Sequence, residues 1–362
     1  GSITRGDGAS DSTKCYAYRV YEWWNAMFPG QVTFVNAGIS GTNSIFGSYR
    51  NETDVLKYDP DFLIVEWAVN DGNGGGTFLN AHEAVIRKTL LFSDVAVMQL
   101  FNTSISQGMN CGQDNQSKVG AFYGLPGISQ RDAFYNKTFK KADGTVLEFY
   151  NADVPEKSLT CDGTHPNDTG YTMTALLINS YLTSVYEDLE GISNDILGVP
   201  SGYYNEMAKY YMNPDLFDPG ETDKDGRVAV KDFGGFTKCS DSNNYRSGIS
   251  MTGVVASADH TAPLTFTVKD CHTLKFITET RSNGMWVKVE VFSADGKTLL
   301  ATDTSKVNTY YKYNTVRTHE ASYESLSGED VLVKVTPFVK SDSTVEAERN
   351  ASICVLRKIV VE

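Results

Sequence analysis

The strongest constraint on the fold is a change in hydrophobic period partway along the chain. Up to about residue 190, helical spacing alternates with short, unbroken apolar runs; beyond residue 228 a period of two prevails. Tyr16, Val20, Trp23, Trp24 and Met27 recur at helical spacing, and Pro29-Gly30 then stops the pattern, which predicts a helix over 14–28. Gln31 to Val35 reads as a strand leaving through Asn36-Ala37-Gly38. Asp59-Pro60 breaks the chain before Phe62-Leu63-Ile64-Val65, an apolar run expected of a strand covered on both faces. A helix over Asn80–Phe92, a buried strand over Asp94–Leu100, a helix over Asn115–Tyr123, a short strand over Pro126–Ser129 and a closing helix over Tyr171–Leu189 complete the pattern. Alternating helices and apolar strands predict an α/β unit, a parallel sheet flanked by helices. In such sheets ligands bind beyond the carboxyl ends of the strands. The residues that follow each strand are therefore where chemistry is to be sought.

Residues 191–227 carry Gly191, Gly198, Pro200, Gly202, Pro214, Pro219 and Gly220 with little periodicity, and read as a connector. Residues 228–362 alternate over Leu264–Val268, Trp286–Val291, Val331–Val335 and Ile353–Leu356, with turns such as Ala294-Asp295-Gly296 between them. This pattern predicts an all-β sandwich, jelly-roll-like. The net charge of −13 argues against nucleic acid or an anionic membrane surface as a partner, since both require basic patches. No apolar run approaches the roughly 18 residues of a membrane-spanning helix. The six cysteines include no Cys-x-x-Cys pair, which speaks against a zinc site. Cys111 and Cys161 fall in loops that a disulfide could join in a secreted protein, and thiols are an equally good reading.

Asp162-Gly163-Thr164-His165-Pro166 places a carboxylate three residues before an imidazole. One turn can then aim Asp162 at Nδ1 of His165 and leave Nε2 to take a proton from a nucleophile. Alone, Asp-x-x-His is a weak signal. Upstream stand Ser2-Ile3-Thr4, Asn36-Ala37-Gly38-Ile39-Ser40-Gly41 and Ala68-Val69-Asn70-Asp71. In that order the four segments resemble the blocks of the SGNH (GDSL-type) hydrolases, and among them the secreted carbohydrate acetylesterases. The resemblance covers roughly residues 1–190, with the SGNH esterase domain ending there. There are two departures. Ala68 stands where the family has glycine. Gly1 stands where it has aspartate, and the apolar strand that leads into the family's nucleophile is absent. The expectation is that the sequence starts inside the first block, or that Gly1-Ser2 is a foreign dipeptide.

The resemblance implies Ser2 as nucleophile, His165 as base and Asp162 as its orienting carboxylate. It also implies an oxyanion hole from the N–H groups of Ser2 and Gly38 and the amide of Asn70. Trp67 and Asp71 are candidate substrate contacts, although tryptophan is more often core and Asp71 reads better as structural. Glu221, Asp223, Asp225 and Asp232 resemble half of a calcium loop, with a hairpin turn as the better reading. No cofactor or metal is called for. The implied function is a secreted or cell-surface bacterial serine esterase that removes O-acetyl groups from an acetylated polysaccharide or oligosaccharide of xylan or mannan type. The β region would then bind carbohydrate or shape the substrate site. Two alternatives remain. One is a lipase, lysophospholipase or thioesterase on the same triad, which the polar loops 72–79 and 103–118 disfavour. The other is a non-catalytic carbohydrate-binding protein.

Overall fold

Phe62–Val65 (β1), Ala96–Phe101 (β2) and Gly127–Ser129 (β3) form a parallel sheet in a computed structural model that describes residues 1–92, 94–188, 198–212, 215–223, 225–241, 251–311 and 315–361. β2 is central: Val65 pairs with Gln99, and Phe101 pairs with Ser129. The helices of this unit are Ser2–Arg5 (α1), Tyr16–Met27 (α2), Ser44–Asp54 (α3), Thr77–Phe92 (α4), Gln113–Phe122 (α5), Gln130–Phe134 (α6) and Asp168–Glu187 (α7). A hairpin, Thr138–Lys140 (β4) with Val146–Glu148 (β5), precedes α7.

The period of two along β2 sets the layers. Met98 and Leu100 pack with Tyr16 and Val20 of α2 and with Tyr171, Ala175, Ile178 and Leu182 of α7. Val97 lies on the opposite face with Val65 and Val95. Gln99 shares that second face, and its Oε1 lies 2.8 Å from Nε2 of His82 on α4. Both sheet faces are thus covered, as unbroken apolar strands require.

Two departures from the sequence reading stand out. Gln31–Val35 is not a strand, because a strand needs a partner ladder and none pairs with it among the described residues. Helix α3 is the second: its sequence, SIFGSYRNETD, has little apolar periodicity. It is set instead by tertiary contacts and by the Asn43 side chain, which caps it by accepting from the Phe46 N–H at 3.1 Å. Gly47 within it is required, because a Cβ there would lie 2.3 Å from the Trp67 ring.

The chain divides after Met212 into two compact units. The described part of the 191–227 stretch is no free connector. Arg87 of α4 donates to the carbonyls of Pro200 at 2.7 Å and Gly202 at 2.8 Å, and the buried Glu83 accepts from the N–H groups of Tyr204 at 2.5 Å and Asn205 at 2.7 Å. Residues 191–197, Asn213, Pro214 and Lys224, which the connector reading also covered, lie outside the described residues. Further on, Asp215–Phe217 (β6) pairs in the second unit.

That second unit continues with Val228–Asp232 (β7), Thr237–Asp241 (β8), Met251–Ser257 (β9), Leu264–Thr280 (β10), Trp286–Ser293 (β11), Leu299–Asp303 (β12), Thr315–Phe338 (β13), the short helix Glu346–Arg349 (α8) and Ile353–Val361 (β14). All its ladders are antiparallel, in the order β12-β11-β13-β10-β14-β9-β8, with β6 on β14 and β7 on β10. Bulges between Val268 and Lys275 break the long β10–β13 ladder, which lets one strand serve two stretches of sheet. Alternate residues Leu264, Phe266, Val268, Val287, Val289, Val291, Val331, Val333 and Val335 build its core.

The calcium-loop candidate resolves as a turn. The Gly226 N–H donates to the Asp223 carbonyl at 3.0 Å and the Arg227 N–H to its carboxylate at 3.2 Å, while Asp232 lies on β7 and accepts from the Gly234 N–H at 2.9 Å. Glu221, Asp223, Asp225 and Asp232 do not converge, and among the described residues no three acidic, His or Cys side chains group as metal ligands.

Burial holds the His82 imidazole at about 4, below its ordinary 6.5. The folded state therefore binds fewer protons between those values, and this contribution to stability is present above 6.5 and lost as pH falls to about 4. Measured by denaturant unfolding, wild type should lose up to roughly 3 kcal/mol relative to His82→Gln across that window. The difference should be flat on either side of it.

Candidate active site

The Asp162–His165 segment is a closed turn. The Cys161 N–H donates to the His165 carbonyl at 2.8 Å, and Thr160 bridges Pro166. Gly163 turns the chain at φ +80°, and a Cβ there would lie 2.5 Å from Cγ2 of Ile105. The Ile105 N–H anchors the turn by donating to the Gly163 carbonyl at 2.6 Å. Asp162 divides its two oxygens. Oδ1 accepts from the N–H groups of Thr164 at 3.0 Å and His165 at 2.8 Å, and Oδ2 lies 2.8 Å from Nδ1 of His165. Partial burial alone would raise this carboxyl. The backbone and ring hydrogen bonds from His165 outweigh that and hold it below its ordinary value.

Ser2 opens α1, which Gly6 ends at φ +95°. The α1 segment is held from several sides. The Tyr171 hydroxyl lies 3.0 Å from the Ile3 carbonyl and 2.8 Å from that of Asp7. Asn36 Nδ2 donates to the Thr4 carbonyl at 2.7 Å. Thr4 Oγ1 donates to Glu66 at 2.9 Å and shares a 2.8 Å bond with the Tyr16 hydroxyl. Tyr171 belongs to α7, which starts just after His165, so one stretch of chain locates both the imidazole and the serine segment. Ser2 Oγ then lies 2.9 Å from Nε2 of His165. An ionised Asp162 only accepts, so the ring proton sits on Nδ1 and Nε2 accepts from the serine hydroxyl. The sequence places Ser2 and His165 far apart, and the fold joins them with Asp162 in one hydrogen-bonded chain. Such a chain can draw a proton from a hydroxyl.

Asn70 lies in the turn after β1. A Cβ on Gly1 would come within 2.2 Å of its Oδ1, so its amide stands beside the Ser2 segment. Its side chain has no hydrogen-bond partner among the described residues. The other sequence candidates are placed differently. The Gly38 N–H donates to Asn36 Oδ1 at 2.9 Å and is not an open donor. Glycine is needed there for a different reason, since a Cβ would lie 2.3 Å from the Arg5 nitrogen. Three residues on, in the Ser40-Gly41 turn, Gly41 is exposed at φ +69°, and its N–H has no partner among the described residues. The sequence reading passed over Gly41, although Ser40-Gly41-Thr42 before a helix was a visible turn signal. Trp67 is not a surface platform: its ring packs against Gly47 of α3 and lies 6.1 Å, edge to face, from His82. Asp71 is 1% exposed, so it does not meet substrate. Its Oδ1 accepts from the Ser44 N–H at 2.9 Å and its Oδ2 from Gln116 Nε2 at 2.8 Å. No disulfide joins Cys111, which is buried, to Cys161, which is exposed and donates to the Gly8 carbonyl at 3.3 Å.

No protein-family model and no curated protein matches the sequence. Solved structures do. One is a two-domain esterase active on acetylated mannans, which aligns with a TM-score of 0.73 at 23% identity over 100% of this chain and 89% of its own. Another is such a two-domain esterase co-crystallized with mannopentaose, with a TM-score of 0.70 at 23% identity over 100% of this chain and 88% of its own. At that identity the likeness establishes the fold: this chain has the fold of those two-domain esterases, a helix-flanked parallel sheet followed by an antiparallel β unit.

Proposed function

We propose that the chain is a serine esterase that removes O-acetyl groups from a polysaccharide or oligosaccharide of mannan or xylan type, acting outside the cell. The observation that carries this reading is the hydrogen-bonded chain from Ser2 Oγ through His165 to Asp162. The fold it shares with esterases active on acetylated mannans supports the substrate class. The exposed, polar setting of the turn supports an open site for a polymer.

In the reaction His165 Nε2 takes the Ser2 proton as Oγ attacks the acetyl carbonyl. Asp162 holds the ring in the required tautomer and stabilises the imidazolium. The negative charge that develops on the carbonyl oxygen is met by the Ser2 N–H, the Asn70 amide and the Gly41 N–H, which has no partner among the described residues and takes the place first read for Gly38. The C–O bond to the sugar breaks, and His165 returns the proton to the departing hydroxyl. Water, deprotonated by the same nitrogen, then attacks the acetyl-enzyme and releases acetate. None of these steps calls for a metal or cofactor.

Acetate release from acetylated mannan and acetylated xylan, run beside 4-nitrophenyl acetate and a long-chain ester, tests the reading. Wild type should cleave the acetates and leave the long-chain ester. Ser2→Ala should abolish turnover, and turnover that persists in that variant would rule Ser2 out as nucleophile. Asp162→Asn should lower kcat by about 10²–10⁴ through the wrong tautomer. Tyr171→Phe should cost about 1–2 kcal/mol in unfolding free energy, because carbonyls of the α1 segment lose their donor. Thermal denaturation reads that loss.

A further inference from the structure

We propose that Asp71 is a positioning residue that fixes the separation between the two walls of the oxyanion site, the turn carrying Asn70 and the turn carrying Gly41. The inference rests on the esterase reading above. It assigns Asp71 a role distinct from substrate contact, which its burial rules out.

The two walls come from different parts of the chain. Asn70 sits in the turn that leaves β1, and Gly41 sits in the turn that leads into α3. The second turn is bound to α3 itself: Arg50 donates to the Ala37 carbonyl at 2.8 Å, and Asn43 caps the helix. The first turn is bound to the 107–116 segment. Gln107 Nε2 donates to the Val69 carbonyl at 2.8 Å, the Gly112 N–H to the Ala68 carbonyl at 2.8 Å, and Asn115 Nδ2 to the Asn73 carbonyl at 2.9 Å. Among the described residues, one carboxylate makes the direct hydrogen bonds between these two assemblies, and an indirect route runs through α1, with Thr4 on Glu66 and Arg5 on Ser40. Asp71 accepts from the first N–H of α3, at Ser44, with one oxygen and from Gln116 of α5 with the other. Backbone bonds fix its own turn, with the Asp71 N–H on the Trp67 carbonyl at 2.9 Å and the Gly74 N–H on the Asp71 carbonyl at 2.9 Å. Any shift of the carboxylate therefore moves the neighbouring Asn70 relative to α3 and the Gly41 turn.

The site is an unfavourable one for a charge. Burial pushes the Asp71 carboxyl up to about 7, against the hydrogen bonds from Ser44 and Gln116. A carboxylate accepts from both partners at once. An amide at the same place keeps both bonds, its oxygen on the Ser44 N–H and its NH₂ on Gln116 once that amide turns over to present Oε1, whereas an apolar side chain of the same shape keeps neither.

A double-mutant cycle on 4-nitrophenyl acetate tests the role, with Ser2→Ala as the blank. Displacing a donor by a fraction of an ångström costs less than deleting it, so Asp71→Leu should lower kcat about 10-fold, with KM within about twofold. The melting temperature should fall as well, because the Ser44 N–H and the Gln116 amide lose their buried acceptor. In an Asn70→Ala background the same substitution should cost less than about twofold in kcat, because the donor it positions is gone. Asp71→Asn keeps both hydrogen bonds once Gln116 turns its amide over, and should recover most of the lost kcat. If Asp71→Leu unfolds the chain, Gln116→Leu carries the same cycle. Equal losses with and without the Asn70 amide, or a kcat for Asp71→Leu within about twofold of wild type, would overturn the positioning role while leaving the esterase reading intact. A wild-type chain that hydrolyses no ester would overturn both.

Discussion

Parallel pairing of β2 with β1 and β3 is the constraint on which the first unit depends. Parallel strands must leave the sheet at the same edge, so the exits of β1 and β2 emerge side by side. The exit of β1 carries the Asn70 turn. The exit of β2 carries Ile105, whose N–H anchors the Asp162–His165 turn through Gly163. Two loops with no sequence proximity are thereby brought to one edge before any side-chain chemistry is specified. The α2 and α7 layer then adds Tyr171, which sets α1 against the same edge.

Around this edge the protein uses buried polar groups for geometry rather than for net stability. Asn36 joins the Thr4 carbonyl to the Gly38 N–H, Thr4 links α1 to Glu66, and Asp71 joins two helices. Such bonds are worth about 1 kcal/mol each in net terms, but leaving any one of these buried groups unpaired costs more. The network therefore resists partial rearrangement. The same logic holds the 198–212 segment to α4, where Glu83 and Arg87, one helical turn apart, grip its backbone N–H groups and carbonyls.

The second unit is built on a different principle. Its core comes from strict alternation along long antiparallel strands, and bulges in β10 let the ladder change direction. It too encloses a polar pair, Arg357 of β14 donating to Glu279 of β10 at 3.0 Å with both side chains buried.

By itself the sequence determined what is local. The α/β-then-β order follows from hydrophobic period, and helices α2, α4, α5 and α7 follow from apolar spacing with their stops. The Asp162–His165 hydrogen bond also belongs here, because a carboxylate and an imidazole three residues apart around a glycine meet within one turn. Tertiary structure decided whatever depends on a neighbour distant in sequence. Helix α3 lacks its own periodicity and is shaped by the Trp67 ring against Gly47. Gln31–Val35 has strand-like residues but no partner ladder among the described residues. By sequence Trp67 and Asp71 are candidate substrate contacts with an interior reading favoured, and it is the packing of α3, α4 and α5 that buries Asp71 and sets the Trp67 ring against Gly47. Gly38 matched a motif by type, yet its N–H is taken by a side chain two residues away while its α-carbon meets α1, a contact that no spacing rule reveals. Short-range hydrogen bonds are written in the order of residues. Burial and donor availability are properties of the surroundings, and those exist only once the chain has folded.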